Sequence, residues 1–202
     1  MSHKPGFFKR LKALELSQKQ LFALCLCQRM FPNYQLFSEL SEFGDSKVLD
    51  TVLNLLWQSQ YDKKLKLNID IYLQRLEDNT PEPEDFDAYG VFPALDAVVA
   101  ITTLLGAIQG KLEEDLINIS KLSSSTVANY IEATCDQELS ESDLDDYVFG
   151  HEVMQEEKSI QGQLLEVIED NPRITADFVK ALRKELVTDA ISNIGISATT
   201  SG

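Results

Sequence analysis

Apolar side chains recur along this chain at three- and four-residue intervals, and turn-forming residues mark the breaks between the recurrent stretches. Ser17 with Gln20 has the spacing of a capping box, and Leu16 with Leu21 that of a hydrophobic staple. Together they predict a helix over 17–31, apolar on most faces and therefore central. Pro32 is expected to stop it, and Asn33 to cap a short helix over 33–43 with Gly44 as its C′ residue. Asp45 or Ser46 then caps a third helix, in which Val48, Val52, Leu55 and Leu56 make one stripe.

Beyond a basic loop at 63–66, Asn68 opens a short helix to about residue 78, and Thr80-Pro81 makes a turn. The most apolar segment spans 91–108, followed by a long helix to about Cys135 carrying Leu112, Leu116, Ile119, Val127, Tyr130 and Ile131. A further helix over 152–169 ends before Pro172, and Thr175 caps the last one, with Phe178, Val179, Leu182 and Leu186 on one face. No period-2 run between hairpin turns is found, nor any internal repeat. The pattern predicts an all-α fold, a single compact orthogonal array of about eight helices around one or two central apolar helices. One domain over 1–196 and a frayed tail over 197–202 are expected.

Segment 91–108 has nearly the length of a membrane span. Pro93, the charge of Asp96 and acidic flanks oppose that reading, since an Asp at mid-membrane costs roughly 2.5–3.5 kcal/mol on insertion scales. A buried core helix is expected instead, and no membrane partner.

Charge changes the picture further. The formal net charge is −15, and residues 136–170 contain twelve acids and one base, Lys158, leaving the rest of the chain near neutrality. Nucleic acid and anionic lipid are bound through Lys and Arg, so no nucleic-acid partner is expected. The acidic span reads as a solvated face or as a docking face for a basic protein. The N-terminus reverses the sign, with His3, Lys4, Lys9, Arg10 and Lys12 beside Phe7 and Phe8, too short a segment for membrane contact. Three cysteines, Cys25, Cys27 and Cys135, with no recognisable signal peptide, predict free thiols in a reducing cytoplasm. A Cys-x-Cys pair on a helix points its sulfurs about 200° apart, so neither completes a metal site with the other.

Candidate chemistry is sparse. Two histidines, His3 and His151, supply little for a triad or a metal centre, His151 is expected to face solvent, and no phosphate-binding glycine loop occurs. No cofactor and no metal are expected. Asp96 breaks its local rule, because it sits in the apolar run Ala94-Leu95-Asp96-Ala97-Val98-Val99-Ala100. Arg29, in the equally apolar Leu24-Cys25-Leu26-Cys27-Gln28-Arg29-Met30-Phe31, has the fork that suits a buried carboxylate, so an Arg29–Asp96 pair is expected. Around it Asp87, Tyr89 and Asn193 complete a candidate polar cluster.

Four segments together resemble the YjaG family of bacterial proteins, a family of undefined function: Arg29-Met30-Phe31-Pro32-Asn33-Tyr34, Phe43-Gly44-Asp45, Asp85-Phe86-Asp87-Ala88-Tyr89-Gly90-Val91-Phe92-Pro93-Ala94-Leu95-Asp96-Ala97 and Ser192-Asn193-Ile194-Gly195-Ile196. The resemblance runs in order from about Leu11 to Ile196 and implies a helical cytoplasmic protein. It also implies an association with bacterial signalling, and it implies no reaction. The residues themselves leave two functions to weigh. One is a non-enzymatic interaction or adaptor protein with a protein partner and room for homo-oligomers. The other is a small-molecule binder or enzyme with a carboxylate pocket around Asp96. A pocket of several hundred Å³ with convergent polar groups favours the second, and a filled core with exposed apolar patches the first.

Overall fold

Helix α2, Leu16–Ser41, is the axis of the protein, and its burial follows from its composition. Leu21, Phe22, Ala23, Leu24, Cys25, Leu26 and Cys27 are consecutive and all fully buried, which a helix achieves only when neighbours cover every side. The second central helix is α5, Val91–Gly110, long and apolar enough to span a bilayer yet with just over half of its most apolar stretch buried against other helices. α6, Glu113–Thr134, crosses both, and these three elements hold most of the interior. α3, Ser46–Ser59, and α4, Ile69–Glu77, cover α2 and α5 on one side, with a 3-10 turn at Pro83–Asp85 leading into α5. On the other side α8, Glu152–Glu169, packs on α6 and α2, and α9, Ala176–Asp189, leans on α2. The remaining helices, α1 (Phe7–Ala13) and α7 (Glu141–Gly150), attach at the periphery against α6 and α8.

The structure, a computed structural model, describes residues 5–197, of which nine α-helices and the isolated antiparallel bridge Ile191–Ser197 are the regular elements. His3, Lys4 and the tail beyond Ser197 lie outside the described residues. Ser197, expected in that tail, is paired with Ile191.

Three sequence expectations change. Pro32 does not end a helix: it is buried inside α2, which continues to Ser41. An interior proline costs about 3 kcal/mol, and the second half of α2 buries Pro32, Tyr34 and Phe37 in the core, a gain of the same order or larger. Asn33 is consequently an interior residue, free to use its side chain elsewhere. The capping box is formed two residues earlier than the Ser17 spacing predicts, with Glu15 as N-cap; its backbone N–H donates to Gln18 Oε1 at 3.1 Å. Gln18 is thereby oriented to donate through Nε2 to the Ile168 carbonyl at 2.8 Å, tying the start of α2 to the end of α8.

The turn after α2 is fitted around a glycine. Gly44 has φ +68°, and a Cβ there would stand 2.3 Å from the Tyr34 hydroxyl. That hydroxyl donates to the Asn79 carbonyl at 2.8 Å, and Asn79 Oδ1 accepts from Asp45 N at 2.7 Å. Burial first, and the Asp45 charge second, push the Tyr34 hydroxyl up to about 12. The basic N-terminal helix is neutralised locally: Arg10 forks onto Glu169, with Nε–Oε1 at 3.0 Å, and Lys12 lies 3.7 Å from Glu114. Phe7 turns inward toward Phe22, while Phe8 stays exposed.

Cys25 and Cys27 are fully buried in α2, and burial pushes both thiols far up, whereas Cys135 at the end of α6 is half-buried. Thiolate is the reactive form. In the native protein a thiol reagent is expected to label Cys135 alone at an appreciable rate, with Cys25 and Cys27 following only on unfolding. Rapid labelling of all three without denaturant, read by mass spectrometry, contradicts this packing.

Candidate functional site

The polar interior of the protein is organised by α6. Ser120, Ser123 and Thr126 lie at i, i+3 and i+6, one face of a helix, and all three are buried. Each hydroxyl donates to a different acceptor: Ser120 Oγ to Gln161 Oε1 at 2.6 Å, Ser123 Oγ to Glu157 Oε1 at 2.6 Å, and Thr126 Oγ1 to Asp96 Oδ2 at 2.7 Å. α8 supplies Glu157 and Gln161 from successive turns, and Gln161 Nε2 also donates to Glu157 Oε1 at 2.6 Å.

Glu157 is the centre of the larger half of this network. It is 0% exposed, and its second oxygen, Oε2, accepts from Nη1 of Arg29, which is 7% exposed. This is a buried ion pair whose carboxylate also takes two neutral donors, the arrangement that offsets the desolvation of both charges. A third chain segment joins it. After α9 the chain makes a tight turn, with Ser192 N donating to Ile196 O at 2.8 Å and Gly195 at φ +83°. The turn inserts Asn193 into the interior, where Nδ2 donates to Ser123 O at 3.1 Å and Oδ1 accepts from Asn33 Nδ2 at 2.9 Å. Ile194 from the same turn packs with Val127, Ile131, Val148 and Met154 in a second small core.

Of the candidate cluster, Arg29 and Asn193 are brought into one network, while Asp96 and Tyr89 stand apart and Asp87 is exposed. The expected Arg29–Asp96 pair is not formed. Arg29 reaches α8 rather than α5, and Asp96, only partly buried, is served by the Thr126 hydroxyl and by access to water. Burial raises the Asp96 carboxyl above its ordinary range, against the Thr126 hydrogen bond, which lowers it. Tyr89 is half-buried beside Phe92 and Tyr130, its ring centroid 5.7 Å and 6.3 Å from theirs. Burial chiefly, then the Asp96 charge, pushes its hydroxyl up. The acidic span is also not a uniform solvated face, because Glu157 within it is the buried partner of Arg29. His151 is half-buried rather than solvated: it caps α8, its Nδ1 accepting from Val153 N at 3.3 Å, and its ring lies against Tyr147. Among the described residues no group of three His, Cys, Asp or Glu side chains has metal-binding geometry.

Two cavities flank the network. A trough of about 630 Å³ lies between α1, α6, α7 and α8, with Ser120 and Gln161 in its floor. A smaller cavity of about 290 Å³ lies between α8 and α9, where Arg29 faces it. A third, of about 630 Å³ between α4 and α5, is removed from the network.

The pair predicts an asymmetry in mutant stability. Arg29→Met or Glu157→Leu alone strands a buried charge and is expected to cost about 3–5 kcal/mol. The double variant is expected to cost clearly less than the two losses added, a coupling measurable by urea unfolding in a double-mutant cycle. Simple additivity contradicts the pair. Asp96 behaves differently. Its folded carboxyl is raised above the ordinary 3.8, so its stabilising contribution is full below that value and is lost as pH rises through the raised one. Asp96→Asn, which keeps an acceptor for Thr126, is expected to be at least as stable as the native protein at pH 7, with the difference shrinking toward pH 4. A loss of several kcal/mol at pH 7 rules this out.

Comparison with known proteins agrees over almost the entire chain. A computed match to the family described as "Protein of unknown function (DUF416)" covers residues 6–197. "Uncharacterized protein YjaG" of Escherichia coli strain K12 is 34% identical over 188 residues, 93% of this chain and 94% of that one. An "Uncharacterized protein" of Haemophilus influenzae is 35% identical over 190 residues, 93% and 95% of the two chains. The crystal structure of a DUF416 family protein from Shewanella baltica OS155 is 72% identical, with a TM-score of 0.93 over 96% of this chain and 100% of that one. The chain belongs to the DUF416 family.

Proposed function

We propose that this protein is a binding module for a small amphiphile, an elongated apolar molecule with an anionic end, held in the trough between α1, α6, α7 and α8. The observation that carries this reading is the trough itself, several hundred Å³ of mainly apolar space opening onto the Ser120–Gln161 part of the buried network. Phe8 and Phe149 stand exposed at its edges, and Ala128, Val148 and Met154 line it. α6 forms one wall from Ser120 to Glu132, a rise of about 18 Å at 1.5 Å per residue, long enough for an extended alkyl chain.

Charge along that wall is unevenly matched. Lys121 at one end donates to Asn118 Oδ1 at 2.9 Å and lies 3.8 Å from Glu114, while Glu132 stands at the other end and Asp145 lines the trough from α7. Lys158, the sole base of the acidic span, lines the trough from α8 one turn before Gln161, and its Nζ sits 4.7 Å from the Phe149 ring centroid. An anionic end near Lys158, whose ammonium has no carboxylate partner among the described residues, beside the hydroxyls of Ser124 and Ser125, matches this arrangement, with the apolar body along Ala128, Val148 and Met154. The site proposed is distinct from Asp96, whose carboxylate is engaged with Thr126. It also favours a binding module over an adaptor that works through its outer faces alone.

Dodecanoate is the probe. It is expected to displace an anilinonaphthalene sulfonate reporter from the native protein with a single saturable transition. Ala128→Trp, which fills the trough from its wall, is expected to abolish displacement, and Lys158→Glu to weaken it about tenfold, the equivalent of one charge-assisted contact. Unchanged displacement in the folded Ala128→Trp variant refutes the site.

A further inference from the structure

The cavity between α8 and α9 is separate from the trough and has a different chemistry. Its walls are apolar, built by Ile160 and Leu164 of α8 and Leu182 and Leu186 of α9, residues one turn apart on facing helices. Its one buried charged group is Arg29. Among the described residues Arg29 bonds to Glu157 alone, through Nη1. A guanidinium carries five N–H donors, so Nε and Nη2 remain unengaged on a side chain more than nine-tenths buried. These donors are not sealed off, since the buried side-chain atom left without a partner among the described residues is Asn33 Oδ1; they border about 290 Å³ of open space from which an acceptor can reach them.

We propose that this cavity is a second binding site, for a compact apolar molecule bearing a neutral hydrogen-bond acceptor such as a carboxamide or ketone oxygen, which Arg29 receives. Charge selects neutrality. Glu157 already balances Arg29 at the inner end, and the exposed carboxylates of Glu156 and Glu185 border the cavity with no bond to any described residue. An anionic ligand therefore meets a net negative surround, while an amine without an acceptor leaves the guanidinium donors unfilled. Gln163, the other polar residue at the cavity, is turned to the Ser159 hydroxyl at 3.1 Å.

The test follows the Arg29 Nε–H resonance of the isotope-labelled full chain during titration with three probes of equal length. Hexanamide is expected to shift it saturably, and hexanoate and hexylamine to bind at least about tenfold more weakly, the loss of roughly one hydrogen bond. Leu186→Trp, which fills the cavity from its half-buried rim, is expected to weaken hexanamide by about tenfold or more. Should that variant not fold, Ile191→Trp at the exposed edge serves the same purpose. Ala128→Trp in the trough should leave hexanamide binding unchanged, which separates this site from the trough. The proposal is overturned if hexanamide gives no saturable shift, if hexanoate binds as well or better, if filling the cavity leaves affinity intact, or if Ala128→Trp is the variant that removes it.

Discussion

The ion pair between Arg29 and Glu157 is the constraint around which the rest of the interior is arranged. The enclosed middle stretch of α2 has no water-facing side on which to place an arginine, so the charge must be met where it falls. Glu157 meets it from α8, and its remaining oxygen must then be satisfied as well. Ser123 and Gln161 do so, which fixes how α6 and α8 approach each other, and Ser123 in turn offers its carbonyl and hydroxyl to Asn193. Four separate stretches of chain are thereby held in one register by hydrogen bonds that tolerate little sliding. Apolar packing elsewhere in the bundle is less directional, and could be met by many helix orientations of similar burial.

That wall of polar groups separates two apolar spaces of unlike character. On one side Gln161 and Ser120 floor a long trough whose charges are spread along its length. On the other, the guanidinium faces a short cavity with acids at its edge. α8 serves both, since Gln161 bonds to α6 and Lys158 reaches Phe149 of α7, while Ile160 and Leu164 line the cavity beside α9. Between the two spaces α8 is held to α2 and α6 by the bonds of Glu157 and Gln161, so neither space can be closed by sliding this helix without breaking them.

Helical class, the central place of α2 and α5 and the caps at Asp45 and Thr175 were legible because they rest on local periodicity and side-chain chemistry. The error at Pro32 has a tertiary cause: a local breaker is outweighed when the following turns bury Tyr34 and Phe37. Arg29 stands out in an apolar helix on sequence grounds alone, but the one other charge in an apolar run is Asp96, which points to α5 rather than to the amphipathic α8 that carries Glu157. The better signal was present in α8. Met154, Glu157, Gln161, Leu164, Leu165 and Ile168 fall on one helical face, and two polar residues interrupt an otherwise apolar stripe there. In α6 the hydroxyl spacing of Ser120, Ser123 and Thr126 carried the matching signal. What no local pattern could reveal is the insertion of Asn193, because its partners lie on helices far away in sequence and its own segment has no periodicity at all.

The turn at Asn193 has a consequence for the order in which the molecule is made. Asn33 lies near the beginning of the chain and meets Asn193 near its end, and Arg10 meets Glu169 across a similar separation. A ribosome delivers α2 long before it delivers α8 or the final turn. Until α8 has been made, then, the central helix exists with its charge unmatched and part of its surface uncovered, and the network closes only once Glu157 and Asn193 are both present. Closure of this interior therefore waits on contacts between stretches far apart in sequence, and a chain cut before Asn193 lacks the side chain that joins Asn33 to Ser123.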